Sequence, residues 1–378
     1  MKINIGVVQF PGSNTERETC LAVKRAKMHP IEILWNSDLK SIQACHGYII
    51  AGGFSFEDRS RAGVVASLEP IMDVLKNQSE KGKPIFGICN GAQILVESGL
   101  VPGTLNNEIS VALADNKRIV SGQIIGTGYF NSWANLKLSV PKKSNAFTMH
   151  LTEKEVITVP FAHAEGRFII PSLLLDELKQ NRQTVFRYCD SSGETSNEFP
   201  INPNGSDYNL AAISNTSGNI LAMMPHPERT PFGDKLFSSM KEYIEKEVHF
   251  DKAKLSYLSD KKPINHYIKN KNSKTWVVDL IITDNEAVTV QNALQKRGFE
   301  VLITKQQHWE IAYLKNAKDV LKLIENTGEL FNSNKEYLSK IPSTKNTHSI
   351  LTRQKEDIFC QKKFDSLTQR FKIENLLE

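Results

Sequence analysis

A chain of 378 residues that is 40% hydrophobic and 24% charged can bury a full core and points to two domains. Its five cysteines (Cys20, Cys45, Cys89, Cys189 and Cys360) form no C-x-x-C pair and show no metal-ligand spacing, which argues against disulfides and zinc. The net charge of +5 lies wholly at the C-terminal end: residues 251–378 hold 22 Lys+Arg against 16 Asp+Glu, and residues 1–250 hold 25 against 26. Scattered lysines without a binding motif or an arginine cluster argue against nucleic acid and for a soluble basic face or an acidic partner.

Residues 1–10 read as a first strand rather than a signal peptide, because the apolar run is too short and no small-residue cleavage site follows. No stretch approaches the ~20 apolar residues of a membrane span, so no membrane is expected. Strands near 2–10, 31–36, 46–51 and 84–88 alternate with helices near 14–28, 64–80 and 90–98. That alternation predicts an α/β fold with a flavodoxin-like, doubly wound, mostly parallel sheet. Residues 103–215 are strand- and turn-rich, which predicts antiparallel additions around a pocket, and residues 232–248 predict a closing helix. These elements make up a first domain over 1–250. Seven lysines between 251 and 274 predict a linker. Residues 275–340 predict a small α+β module of order β-α-β-β-α, with strands at 275–283, 299–305 and 308–314 and helices at 286–296 and 317–330. Residues 341–378 predict a polar stretch and then one or two tail helices.

The apolar run Ile85-Phe86-Gly87-Ile88 leads into Cys89, and a short helical pattern follows until Gly99. Gly87 and Gly91 flank the cysteine in a G-x-C-x-G spacing, the thiol form of a nucleophile elbow. A thiol on such a turn lies at a helix N-terminus, where free N–H groups favour thiolate. The bland alternative is a small buried hydrophobe. A second apolar run, Ile220 to Met224, ends in Pro225-His226-Pro227-Glu228, where two prolines stiffen the segment. An imidazole oriented by a carboxylate could take the thiol proton and return it to a leaving amine. A surface turn is the alternative; the elbow tips the balance toward catalysis.

With GICNGAQIL, MMPHPER and IIAGGFS in hand, the chain resembles the class I (triad) glutamine amidotransferases. Within them it is similar to the glutaminase subunits of phosphoribosylformylglycinamidine synthase. VVQFPGSNTERE, FSFEDRSRAG, FAHAEGRF, VFRYCD and NPNGSDYNLAAISN complete the likeness in order, over roughly residues 1–245. The resemblance implies a Cys89–His226–Glu228 triad that hydrolyses glutamine to glutamate and ammonia. It implies an oxyanion hole from N–H groups at Gly53 or Phe54 and at Asn90. Gln93 would hold the backbone end of the substrate, and His163, with Glu165 and Arg167, would line the glutamine site or a partner interface. A surface ion-pair cluster is the alternative for these three, and a solvated loop is the alternative to docking for Arg59 and Arg61. The resemblance further implies a cytoplasmic enzyme without a cofactor or metal of its own. A synthetase subunit would supply ATP and Mg²⁺ and consume the ammonia; consistently, the chain has no G-x-x-x-x-G-K-[ST] loop.

Two positions depart from the family pattern: Glu57 and Ala164 stand where glycine is usual. The 275–340 module is weakly similar to the small accessory subunit of the same system, and an unrelated appended domain is its alternative. A silent scaffold, a stand-alone cysteine hydrolase of related fold and an amidotransferase with another acceptor remain as competing readings.

Overall fold

The computed structural model describes residues 2–153, 155–259, 263–314, 317–341, 346–353 and 357–377. Two compact units emerge: residues 1–260 with 292–300, and residues 261–291 with 301–378.

The first unit begins with β1 (Asn4–Gln9), α1 (Glu16–Arg25), β2 (His29–Leu34), α2 (Leu39–Gln43) and β3 (Gly47–Ile50). The predicted helix over 64–80 is two helices, α3 (Val64–Ser67) and α4 (Ile71–Glu80). Pro70 causes the break, because it offers no N–H to the preceding turn and disfavours helix in the residue before it. Then follow β4 (Ile85–Ile88) and α5 (Asn90–Glu97), both with every residue buried. The strand-rich middle supplies β5 (Ala112–Asp115), β6 (Lys117–Val120), β7 (Gln123–Thr127), β8 (Phe130–Leu138), β9 (Val156–His163) and β10 (Glu165–Ile169). Helix α6 (Ser172–Gln180), β11 (Phe186–Cys189), β12 (Leu210–Ser214), β13 (Ile220–Met223) and α7 (Asp234–Glu245) close the unit.

The main sheet runs β2-β1-β3-β4-β13-β12-β11-β8-β9. The pairings from β2 to β13 are parallel, and those from β13 to β9 are antiparallel. The sheet is therefore a doubly wound parallel half extended by an equally large antiparallel half. Fully buried strands such as β4 and β13 suit the two-sided cover of a parallel sheet. The carboxyl ends of β4 and β13 lie side by side, where an open α/β sheet places its ligands.

The predicted linker starts later than its lysines suggest. Ala253 N–H donates to Thr216 O at 3.0 Å and Ser256 N–H to Glu177 Oε2 at 2.7 Å, while Leu255 and Tyr257 rest on the core of the first unit.

The second unit holds β14 (Ser273–Leu280), most of α8 (Asn285–Lys296), β15 (Gln307–Ala312), α9 (Ala317–Thr327), β16 (Glu336–Ser339) and α10 (Ile358–Asp365). Its sheet is β15-β14-β16, antiparallel throughout. Trp276, Val278, Trp309 and Ile311 from the sheet pack with Val320 and Ile324 of α9 and with Leu367 and Ile373 of the tail. The strand expected over 299–305 does not form, so the predicted order is corrected. Both edges of β14 are filled by β15 and β16, and Leu302 is left 83% exposed. In the tail, α10 runs into a single π turn (Ser366–Arg370); part of the predicted polar stretch, at 342–345 and 354–356, lies outside the described residues.

Candidate active site

Strand β4 delivers Cys89 to the N-terminus of α5 with φ 52° and ψ −108°, a backbone conformation non-glycine residues rarely hold. Cys89 N–H donates to Met223 O at 2.8 Å, and Cys89 O accepts from Ala92 and Gln93 N–H at 2.9 and 3.1 Å, so the turn is held from both sides. Neither flanking glycine has room for a side chain. A Cβ at Gly91 would lie 2.1 Å from Ile50 O, and one at Gly87 would lie 2.5 Å from Gly91 O. Cys89 is 6% exposed, and its Sγ lies 3.7 Å from Ala162 O.

Strand β13 ends beside this elbow. His226 N–H donates to Pro160 O at 2.8 Å, which fixes the imidazole under the return of β9. His226 Nδ1 faces Glu228 Oε1 at 2.7 Å, and both side chains are buried. Burial pulls the imidazole toward its neutral form, but the Glu228 carboxylate and the hydrogen-bonded Cys89 sulfur outweigh it and push His226 up to about 10. The three groups thus favour a proton held on the ring. Arg25 braces the carboxylate turn: Nη2 donates to Glu228 O at 3.1 Å and Nε to Asp234 Oδ1 at 2.8 Å.

The glycine-rich turn after β3 closes the other side. Gly52 N–H donates to Thr15 Oγ1 at 2.8 Å, and a Cβ there would lie 3.2 Å from His226 Cε1. Gly53 adopts φ 145°, open only to glycine, and a Cβ would meet Gly12 O at 2.5 Å. Phe54 N–H donates to Gly12 O at 2.9 Å, which removes Phe54 as an oxyanion donor and leaves Gly53 and Asn90 as the candidates. The Asn90 side chain accepts from Ser55 N–H at 3.0 Å and donates to Gln93 Oε1 at 2.8 Å and Asp58 Oδ1 at 3.3 Å. Gln93 Nε2 donates to Glu165 O at 2.6 Å, so Gln93 ties the elbow helix to β10. Burial, reinforced by Glu165, pushes the Asp58 carboxyl up to about 6.

His163 lies inside, 3% exposed, with Nδ1 3.1 Å from Asn116 Oδ1. Burial and then the charge of His226 lower it to about 3, so it stays neutral. Its companions face elsewhere: Arg167 Nε donates to Asp115 O at 2.8 Å, and Glu165 Oε2 accepts Ala62 N–H at 3.4 Å. In the charged loop, Arg61 pairs with Glu97 and Arg59 with Glu57. Glu57 itself has φ 59°, between Phe56 and Asp58 at φ 51° each, so the usual glycine of this position matches a left-handed backbone. Ala164 shows no such φ. Thr15, Arg25, Asn116 and Tyr188 were not singled out from sequence. Thr15 and Tyr188 fall inside quoted motifs, whereas nothing in the sequence ties Asn116 to a residue 47 positions later.

Among the described residues no group of three or more His, Cys, Asp or Glu is arranged to hold a metal, and no helix is long and apolar enough to cross a membrane. An open cavity of about 950 Å³ lies at the opposite strand ends, lined by Ser79, Gly82, Asn219 and Tyr243; it shares no residue with the elbow.

Comparison with known proteins gives the family. The phosphoribosylformylglycinamidine synthase subunit PurQ of Methanothrix thermoacetophila is 44% identical over 260 residues, covering 64% of this chain and 98% of the relative. The subunit of the same name from Methanocaldococcus jannaschii is 35% identical over 251 residues, covering 65% and 100%. Among solved structures, PurLQS from Thermotoga maritima aligns with a TM-score of 0.51 at 31% identity, over 65% of this chain and 100% of that one. The CobB/CobQ-like glutamine amidotransferase domain matches residues 2–252, two thirds of the chain, and the chain belongs to that family.

Proposed function

We propose that this chain is the glutaminase component of a phosphoribosylformylglycinamidine synthase. The observation that carries the reading is the delivery of a 2.7 Å His226–Glu228 pair against a cysteine held at φ 52°. Cys89 sulfur attacks the carboxamide carbon of glutamine while the oxyanion is received by N–H groups at Gly53 and Asn90. The carbon–nitrogen bond breaks, His226 gives its proton to the leaving nitrogen, and a glutamyl thioester and ammonia result. Water activated by His226 then hydrolyses the thioester to glutamate and restores the thiol. Glu228 holds the ring in its tautomer and supports the imidazolium. Gln93 completes the wall of the glutamine pocket.

Ammonia set free in water at neutral pH is protonated and no longer a nucleophile. It is therefore passed to a synthetase subunit that converts formylglycinamide ribonucleotide to formylglycinamidine ribonucleotide, a step of purine synthesis in the cytoplasm. ATP and Mg²⁺ bind to that partner. The module from 275 onward serves the same assembly, in the manner of an accessory subunit.

The test is glutamate release from glutamine by the purified chain, alone and with its synthetase subunit, ATP and formylglycinamide ribonucleotide, beside Cys89→Ala. Release that requires Cys89 and rises with the synthetase is expected. Absence of release under every condition would remove the glutaminase reading and leave a scaffold.

A further inference from the structure

The sheet face shared by β9 and β11 carries two buried polar atoms, one on each strand, that nothing in the glutaminase chemistry yet uses. Asn116 identifies the first. Its Nδ2 donates to Gly128 O at 3.1 Å and to His163 O at 2.6 Å, and its Oδ1 accepts Gly166 N–H at 3.1 Å. A backbone N–H can only donate, so the orientation of the amide is fixed. The same Oδ1 faces His163 Nδ1, which must therefore carry the ring proton. His163 Nε2 is left as a bare lone pair, buried and without a partner among the described residues. The second atom is the Tyr188 hydroxyl, fully buried and equally without a partner among them.

Both belong to one patch. The Phe161 ring packs against His163 at 5.3 Å and against Tyr188 at 6.3 Å between centroids. The rest of that face is apolar, with Val159 and Leu136 buried. Both also sense the reacting pair: the His226 charge acts on His163, and the Cys89 charge acts on Tyr188. A buried polar atom left unpaired costs free energy, and such exceptions call for an occupant. The occupant must be small, must donate to a nitrogen lone pair and must accept from a hydroxyl. Ammonia meets all three conditions; ammonium, with no lone pair, fails the last.

We propose that His163 Nε2 and Tyr188 Oη receive the ammonia released at Cys89 and guide it, as positioning residues, along the Phe161 wall. An N–H of ammonia donates to His163 Nε2, and the Tyr188 O–H donates to the ammonia lone pair at the neighbouring point. Burial holds His163 neutral and opposes ionisation of Tyr188, so neither group exchanges a proton with ammonia and the cargo remains nucleophilic. This inference rests on the glutaminase reading and deepens it. A trapped structural water has the same hydrogen-bonding chemistry and is the alternative occupant.

The decisive readout is formylglycinamidine ribonucleotide formed per glutamate released, in the complex with the synthetase subunit, ATP, Mg²⁺ and glutamine. Tyr188→Phe removes only an unpartnered hydroxyl, so it keeps the fold. His163→Phe removes the lone pair and is checked by its thermal melt. The ratio in each variant should fall roughly fivefold, the factor one net hydrogen bond supplies, with ammonia appearing in the medium. Ammonium chloride as nitrogen source should sustain equal rates in all three complexes, showing intact assembly. A wild-type ratio in both variants would overturn the inference and assign the site to a water, leaving the glutaminase reading untouched. If wild-type protein itself shows no Cys89-dependent glutamate release, both fall together. If His163→Phe does not fold, Tyr188→Phe decides alone.

Discussion

Gly91→Ala tests whether the elbow is as tightly built as its distances state. The new methyl would sit 2.8 Å from Ile50 C and 2.1 Å from Ile50 O, the latter more than an ångström inside ordinary contact. Ile50 cannot yield, because β3 is paired on both edges, by β1 and β4. Helix α5 must move instead and carry Cys89 with it. Overpacking of this kind costs about 1–3 kcal/mol, of which the better helix propensity of alanine returns at most about 1 kcal/mol. The larger effect is geometric: a displacement near 1 Å in a reacting group costs on the order of 10²-fold in rate. Urea melts and glutamate release, measured on the same preparation, separate the two effects. The expected result is a modest loss of stability with a drop of about two decades in turnover. Glutaminase activity within threefold of wild type, at an unchanged midpoint, would refute the argument.

Glu228→Gln keeps the volume of a fully buried side chain while removing the charge that supports the His226 imidazolium. Turnover should fall by roughly 10²–10⁴ with little change in melting temperature, and a loss below tenfold would contradict the orienting role. His163 sets an acid limit on stability. Its folded pKa of about 3 lies below the unfolded value, so only the unfolded chain takes up the proton as pH falls from about 6.5. Stability is lost through that window, by up to about 1.4 kcal/mol per pH unit. The gap in unfolding free energy between wild type and His163→Phe should therefore narrow as pH falls from 6.5 toward 4; a constant gap would show that the ring titrates normally. Glu57→Gly relieves a left-handed backbone that costs a non-glycine residue about 1–2 kcal/mol, set against about 0.5–1 kcal/mol of added chain entropy. Stability should stay level or rise, and a loss beyond about 1 kcal/mol in a thermal melt would show that the exposed Glu57–Arg59 pair matters more than such pairs usually do.

What the sequence disclosed and what it hid divide along the range of the interactions. Cys89, His226 and Glu228 could be brought together on paper because each follows a short apolar run whose end is marked by glycine or proline, and parallel strands place such ends side by side. The parallel half of the sheet follows from the same local alternation. Phe54 shows where this stops. The Gly52-Gly53 pair announces a turn, but which N–H remains for an oxyanion depends on Gly12, forty residues earlier, capturing the amide of Phe54. The missing strand at 299–305 is the same effect, since its residues suit a strand and both edges of β14 are taken by segments later in the chain. Asn116 goes furthest. An unremarkable residue between two short strands fixes the tautomer of His163, and with it the acceptor proposed for ammonia, through four hydrogen bonds to positions 12 to 50 residues away. Turn chemistry and strand period are properties of a few consecutive residues, and they locate the proposed nucleophile and its base. The placement of His163 and Tyr188 beside them is decided by how β9 and β11 pack, and that is a property of the whole sheet.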